Sequence, residues 1–146
     1  MKPDPQAILA DFAARLGGVI MPDLKTPFLM GSTGLMAAVI GMIAEDLDSA
    51  AARRVEENRA IRALFNRALA LNPPPVLAAT LEPLAIGDDE DLRLSALVAA
   101  NQRLRAALIT LQTWAENQPG AEALNDAIWA ELSASTDRRR LSGAPF

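Results

Sequence analysis

The sequence predicts an all-α protein, an antiparallel bundle of five or six helices. Apolar residues make up 51% of the 146 residues but aromatic residues only 4%, so small and aliphatic side chains must form the core. That composition favours helix packing, because strands are richer in aromatic and β-branched residues. Apolar positions also recur at steps of three and four, between segments rich in proline and glycine. A chain of this length can bury its own core.

The first helix is predicted to begin at Asp4 and Pro5, an N-cap residue followed by a proline at the first helical position. Two adjacent glycines weaken its continuation, and it ends near Pro22. A second start at Pro27 is predicted to give only a turn or a short helix. That element is expected to break at residues 31–34, which contain two glycines.

Two long helices dominate the prediction. The first covers about 35–71, with a kink near 48 and an uninterrupted helix as open alternatives, and it stops where Asn72 precedes three prolines. The second covers 91–117, about 40 Å at 1.5 Å per residue. Its seam follows the heptad steps of helices packed side by side. The seam consists of Leu94, Leu97, Asn101, Leu104, Leu108, Leu111 and Ala115.

Shorter helices are predicted over about 76–84 and 121–133. Together these elements predict a single helical domain over residues 1–134. Residues 135–146 lack apolar periodicity and are predicted to form a flexible C-terminal tail.

The composition excludes several classes of function. Eighteen acidic against fourteen basic residues give a net charge of -4, so nucleic acid is not an expected partner. Histidine and cysteine are absent, which removes the usual general base, the thiolate nucleophile and the commonest transition-metal ligands. No catalytic residue, metal site or cofactor is therefore predicted. The amino terminus lacks the apolar run of a secretory signal, and a cytoplasmic location is expected.

One stretch raises the question of a membrane. Residues 27–44 carry no charge, and eighteen residues is close to the shortest length that spans a bilayer. Glycine, serine and threonine dilute its apolarity, and no basic cluster flanks it to set an orientation. The prediction is a fully buried bundle helix, with no membrane as partner.

The candidate site is a layer of polar residues inside the bundle. Asn101 interrupts the apolar seam of the second long helix, and the spacing on the first long helix turns Asn58 and Arg62 inward. If the two helices are neighbours, these three residues and Arg105 form a buried polar layer, with Glu57 or Glu45 as the acidic partner. One interpretation is a satisfied hydrogen-bond network that specifies the packing. The other is a binding site for a small carboxylate or phosphate, which suit the arginine fork.

Two acidic runs have simpler interpretations. Residues 88–91 precede a helix and complement the positive end of its dipole. Glu45 and Asp48 are expected to lie on a solvated shoulder, with a magnesium-type site as the alternative.

The predicted function is that of a non-enzymatic interaction or scaffold protein, which binds itself as a homo-oligomer or binds another protein through helix faces. The long seam and a strip of small residues, Gly34, Ala38 and Gly41, motivate this prediction. The alternative is a regulatory domain that binds a small anionic ligand at the polar layer. A metal-dependent carboxylate enzyme ranks third.

Overall fold

The structure, a computed structural model, describes residues 4–141. Helices occupy most of that range and it contains no strand, which confirms the all-α prediction. The elements are α1 (Pro5–Arg15), a π-helical segment (Leu16–Ile20), α2 (Met21–Asp23), α3 (Pro27–Leu69), α4 (Pro75–Ala85), α5 (Leu94–Glu116) and α6 (Glu122–Arg138).

The described residues divide into two compact units. The N-terminal unit contains residues 4–50 together with 140–141, and the central unit is Ala51–Arg139. The long helix α3 contributes residues to both. The single domain over 1–134 stays a prediction.

The hydrophobic core of the central unit is built by four helices. α5 packs against α4 and α6, and the second part of α3 completes the core. The α5 seam is buried as predicted except at its first member, Leu94, which is 42% exposed. The core residues are Ile61, Leu64, Phe65, Ala68, Leu77, Leu81, Ala85, Leu104, Ala107, Leu108, Leu111, Ala115, Ala121, Leu124 and Ile128.

α3 begins earlier than predicted. The helix is continuous from Pro27 to Leu69, so the expected break at 31–34 is wrong, and residues 35–69 belong to one helix. Glycine lowers helix propensity by only about 1 kcal/mol relative to alanine, and tertiary packing offsets such a cost. α3 ends at Leu69, close to the stop that the three prolines predicted. Asn72, after the last turn, has a φ of 52°, a left-handed conformation that asparagine tolerates.

Residues 5–23, called the first segment below, run antiparallel to the start of α3 in the N-terminal unit. Asp4 caps the segment by accepting a hydrogen bond from the Gln6 amide at 3.2 Å, as predicted. A methyl group built on Gly17 would lie 3.6 Å from the Ala37 Cβ. One built on Gly41 would lie 3.9 Å from the Ala13 Cβ, and one on Gly34 would lie 3.2 Å from the Met21 sulfur.

The small-residue strip of α3 is therefore used within the chain. Gly34 and Gly41 face the first segment, with the Met21 and Ala13 side chains as their neighbours. Sequence reasoning had interpreted this strip as a face for association with a second copy or with another protein. Two of its three members are instead occupied by the protein's own first segment.

The expectation that residues 27–44 form a fully buried helix is wrong. An eighteen-residue window of α3 has a mean hydropathy of 1.7, yet only 6% of it is buried. By length and composition alone, α3 is long and apolar enough to cross a membrane. Its apolar character is therefore not explained by packing within the chain.

The last helix extends further than expected. α6 continues to Arg138, five residues past the predicted end at 133 and into the predicted tail. Ser135 is buried, and its hydroxyl donates a hydrogen bond to Glu57, which connects this turn of α6 to α3. Residues 142–146 of the predicted tail lie outside the described residues.

Candidate functional site

The two asparagines predicted to share a layer do meet. The Asn101 Nδ2 atom on α5 donates a hydrogen bond of 2.9 Å to the Asn58 Oδ1 atom on α3. Asn58 is 0% exposed and Asn101 4% exposed, so the amides are out of contact with water. Heptad spacing on both helices turns the residues inward, and the packing of α3 beside α5 brings them together.

Arg62 joins this pair through a residue that sequence reasoning assigned elsewhere. Both terminal nitrogens of Arg62 donate to the Asp89 carboxylate at 2.9 Å, a bidentate pair. The Asn58 Nδ2 atom donates to the same carboxylate at 3.0 Å. The hydrogen-bonded chain thus runs from Asn101 through Asn58 and Asp89 to Arg62.

Asp89 is held ionised by its donors. Hydrogen bonds from Arg62 lower the pKa of Asp89 and outweigh the opposing effect of burial, and the Asn58 amide lowers it further. The carboxylate therefore serves as an acceptor at neutral pH. The run 88–91 had been interpreted as a complement to a helix dipole, an interpretation that misses this role. The one signal in the sequence was an inward arginine in need of a carboxylate.

Glu57 forms a second, adjacent cluster with Arg105. It is 3% exposed. Its carboxylate accepts a hydrogen bond of 2.6 Å from Arg105 and two hydrogen bonds, of 2.7 Å and 2.8 Å, from Arg139. Arg54 donates to it at 3.2 Å and Ser135 at 3.3 Å. One carboxylate therefore connects α3, α5 and the end of α6.

The arginines fix the protonation state of Glu57. Burial alone would raise the pKa of Glu57, but hydrogen bonds from Arg139 and Arg105 reverse that effect and lower the pKa to about 2. Sequence reasoning proposed Glu57 or Glu45 as the partner of Arg62. In the structure Glu57 pairs with Arg105 and Arg139 instead, and Arg62 pairs with Asp89.

The four predicted residues are therefore close together but divided between two ion-paired clusters. Asn58, Arg62 and Asn101 belong to the Asp89 cluster, and Arg105 belongs to the Glu57 cluster. Arg139 and Ser135, which complete the second cluster, were not predicted because the sequence there lacks helical periodicity.

An open cavity of about 280 Å³ lies beside Arg62. Arg59 and Arg62 contribute two positive charges to its lining, against three carboxylates from residues 88–90. The local charge therefore disfavours an anionic ligand. Among the described residues, the Nε atom of Arg62 is buried without a hydrogen-bond partner, but both terminal nitrogens are engaged.

A magnesium-type site was the alternative interpretation of Glu45 and Asp48 in the sequence. Within residues 4–141, no group of three or more carboxylates is arranged to hold a metal ion. Glu45 and Asp48 line an open depression with Gln6 and Ser49 in the N-terminal unit. The two clusters consist of carboxylates that accept hydrogen bonds from arginine side chains.

Comparison with known proteins adds no assignment: no family model matches the chain, no curated protein matches it, and no solved structure matches it. The class that the fold itself defines is an all-α protein with an ion-paired polar layer and an exposed apolar N-terminal unit.

Proposed function

We propose that this chain is a non-enzymatic helical interaction protein that associates with itself through helix faces. The observation that carries the proposal is the apolar surface of the N-terminal unit. Eleven large apolar side chains there are 38% to 80% exposed. They are Phe12, Val19, Ile20, Phe28, Leu29, Met30, Leu35, Met36, Val39, Ile43 and Leu47.

The size of that surface is what favours an interaction. At roughly 80 Å² for each half-exposed side chain, the eleven expose on the order of 900 Å². This sum covers side chains of both the first segment and α3, and it is comparable to the area of about 800 Å² that a standard interface buries on each partner. Only seven exposed large apolar residues lie in the central unit, although it is almost twice as long.

The polar layer supports the non-enzymatic part of the proposal. Its carboxylates are held ionised, and its asparagines bond to each other and to Asp89. A buried hydrogen-bonded network of this kind specifies one packing of the central unit. It does not present a group that exchanges protons near neutral pH.

Sedimentation equilibrium at about 50 µM protein tests the proposal. The wild-type chain is expected to have a mass above that of the 15.5 kDa monomer. Leu35→Asp places a charge in the exposed surface and should shift the mass to that of the monomer. Val76→Asp is the matched control, because Val76 is equally apolar and 83% exposed but lies in the central unit. A monomeric wild-type chain, or equal masses for wild type and Leu35→Asp, contradicts the proposal.

A ligand site at Asn58, Arg62, Asn101 and Arg105 is the weaker candidate. An anion would have to displace Asp89 from Arg62 or Glu57 from Arg105. Thermal unfolding with phosphate and small carboxylic acids tests it, since a ligand at a hundredfold excess over its Kd adds about 2.7 kcal/mol. The self-association proposal expects no rise in Tm beyond that of a chloride control.

A further inference from the structure

We infer that residues 86–93, called the strap below, form a latch that keeps closed a binding site for a small carboxylate. The site is formed by Asn58 and Arg62 on α3. While the strap is closed, the Asp89 side chain occupies the place that the carboxylate of a ligand would take. The inference concerns the central unit alone and does not depend on the proposed self-association.

Asp89 fastens the strap to α3. Every residue of the strap is exposed except Asp89, whose side chain is 6% exposed. Ile86 and Leu92 are the large apolar residues of the strap, and they are 86% and 65% exposed, so they contribute little buried area. The hold of the strap on α3 therefore rests on the hydrogen bonds that Arg62 and Asn58 donate to Asp89.

Open cavities lie on both sides of the strap. One, of about 440 Å³, lies between the strap and α5, where Ala96, Ala100 and Arg103 line it. The other is the cavity of about 280 Å³ beside Arg62, between the strap and α3. Atoms that line a cavity lack packing partners on that side. Close packing therefore does little to hold the strap in place.

The length of the strap allows it to leave α3 while α4 and α5 stay packed. α4 ends at Ala85, α5 begins at Leu94, and the two helices are in contact. The axes of neighbouring helices are about 8–10 Å apart, whereas the eight residues of the strap reach about 26 Å when extended. Release of Asp89 therefore does not require either helix to unfold.

The closed strap covers one arginine donor without binding it. The Arg62 Nε atom is buried and has no hydrogen-bond partner among the described residues. A methyl group built on Gly87 would lie 3.9 Å from this atom, so the strap passes beside it. A buried donor without a partner costs free energy. Release of the strap relieves this cost, because water then reaches the atom.

Release of the strap also reverses the charge beside Arg62. In the closed state, Arg59 and Arg62 share the cavity lining with the carboxylates of residues 88–90, which gives a net charge of -1. The released strap carries all three carboxylates away, and the two arginines leave a charge of +2. Both terminal nitrogens of Arg62 and the Asn58 amide then face the place that Asp89 leaves. Three donors around one carboxylate define the class of ligand.

Removal of the anchor tests the site. Asp89→Ala releases the strap, and its thermal unfolding is measured in about 0.2 M sodium acetate and in the same concentration of sodium chloride. Acetate should raise the Tm of Asp89→Ala by about 3 °C more than that of wild type, as expected for a ligand at about ten times its Kd. Asp88→Ala is the matched control, since it removes an exposed carboxylate of the same strap, and it should respond as wild type does. Addition of Arg62→Met to Asp89→Ala should abolish the response.

Proteolysis measures the release of the strap itself. An endoproteinase that cleaves after glutamate can cut the strap at Glu90 only when this segment leaves the folded bundle. Cleavage at Glu90, identified by mass spectrometry, should be at least tenfold faster in Asp89→Ala than in wild type or Asp88→Ala. Each rate is divided by that of a peptide with the same sequence, which removes any effect of the substitution on the protease.

Each contrary outcome overturns the inference. Equal acetate responses in Asp89→Ala and wild type would show that the released site binds no carboxylate, and equal cleavage at Glu90 would show that Asp89 does not hold the strap. If Asp89→Ala does not fold, Asp89→Asn repeats both measurements, because it keeps an acceptor for Asn58 and loses the charge. Unfolding of both variants contradicts the inference, since a latch must open with the bundle intact. None of these outcomes concerns the mass of the full chain, so the proposed self-association is tested separately.

Discussion

Glu57 connects three helices of the central unit, so a single carboxylate is central to its stability. It is buried with charged donors from Arg105, Arg139 and Arg54. Removing one partner of a buried ion pair costs far more than the pair itself contributes, because the remaining charges lose their compensation. Here the remaining charges are partly solvated, since the Arg105 and Arg139 side chains are 39% and 40% exposed. That exposure keeps the expected loss at the lower end of the range for buried pairs.

We expect Glu57→Gln to lower the free energy of unfolding by about 3 kcal/mol at pH 7. Urea denaturation followed by circular dichroism measures the change. Glu56→Gln is the matched control on the same helix, because Glu56 is exposed, and it should change stability by about 0.5 kcal/mol or less. Equal stabilities for the two variants would show that the Glu57 cluster contributes no stability.

The same variant should change the response to acid. The pKa of Glu57 is lowered from 4.5 to about 2 on folding, so its contribution is complete above pH 4.5 and is lost as the pH falls through 2. The stability difference between wild type and Glu57→Gln should therefore shrink between pH 4.5 and 2. Urea titrations across that range measure it. A difference that stays constant down to pH 2 would contradict the lowered pKa.

Sequence reasoning succeeded where helical spacing decides which side chain turns inward. Asn58 and Asn101 interrupt regular apolar seams, so their meeting could be predicted from the spacing alone. Asp89 lies in the loop before α5, and no periodicity relates a loop residue to the helix it contacts. Arg139 follows the last helical residue, where the sequence pattern predicted a tail.

At the scale of helices, α3 shows what an apolar pattern leaves undetermined. Residues 27–44 carry no charged side chain on any side, which is typical of a helix removed from water. The pattern cannot tell whether the chain itself, a second copy or a bilayer excludes the water. Only the structure shows that one side of α3 is covered by the first segment, while Leu35, Val39 and Ile43 are exposed.

The connection between α5 and α6 depends on one backbone conformation. Gly120 has a φ of +88°, a region that residues with a Cβ atom adopt only with strain. We expect Gly120→Ala to lower the free energy of unfolding by about 1 kcal/mol. Gly87→Ala is the control within the same unit. Its added methyl group would meet neighbouring atoms at 3.6 Å or more, an ordinary contact distance. Urea denaturation should show a loss for the first variant and less than half of it for the second.

At the scale of the whole molecule, the hydrophobic core and the apolar surface belong to different stretches of the chain. Every residue of the core lies between 61 and 128, and both polar clusters lie between 54 and 139. The eleven exposed apolar residues of the N-terminal unit all lie between 12 and 47. This division suggests that stability and association are encoded in separate parts of the sequence.

A fragment of residues 48–141 should therefore fold without the N-terminal unit. It contains the whole core and both polar clusters, and Asp48 or Ser49 can cap its first helix. We expect a cooperative urea transition with a helical circular dichroism spectrum, and a monomeric mass at concentrations where the full chain associates. The full chain carrying Leu35→Asp is the matched comparison, since it should be monomeric with its N-terminal unit in place.

A fragment without a cooperative transition would show that the core of the central unit needs residues outside its own range. A fragment that folds but still self-associates would locate the interface in the central unit, contrary to the proposed function.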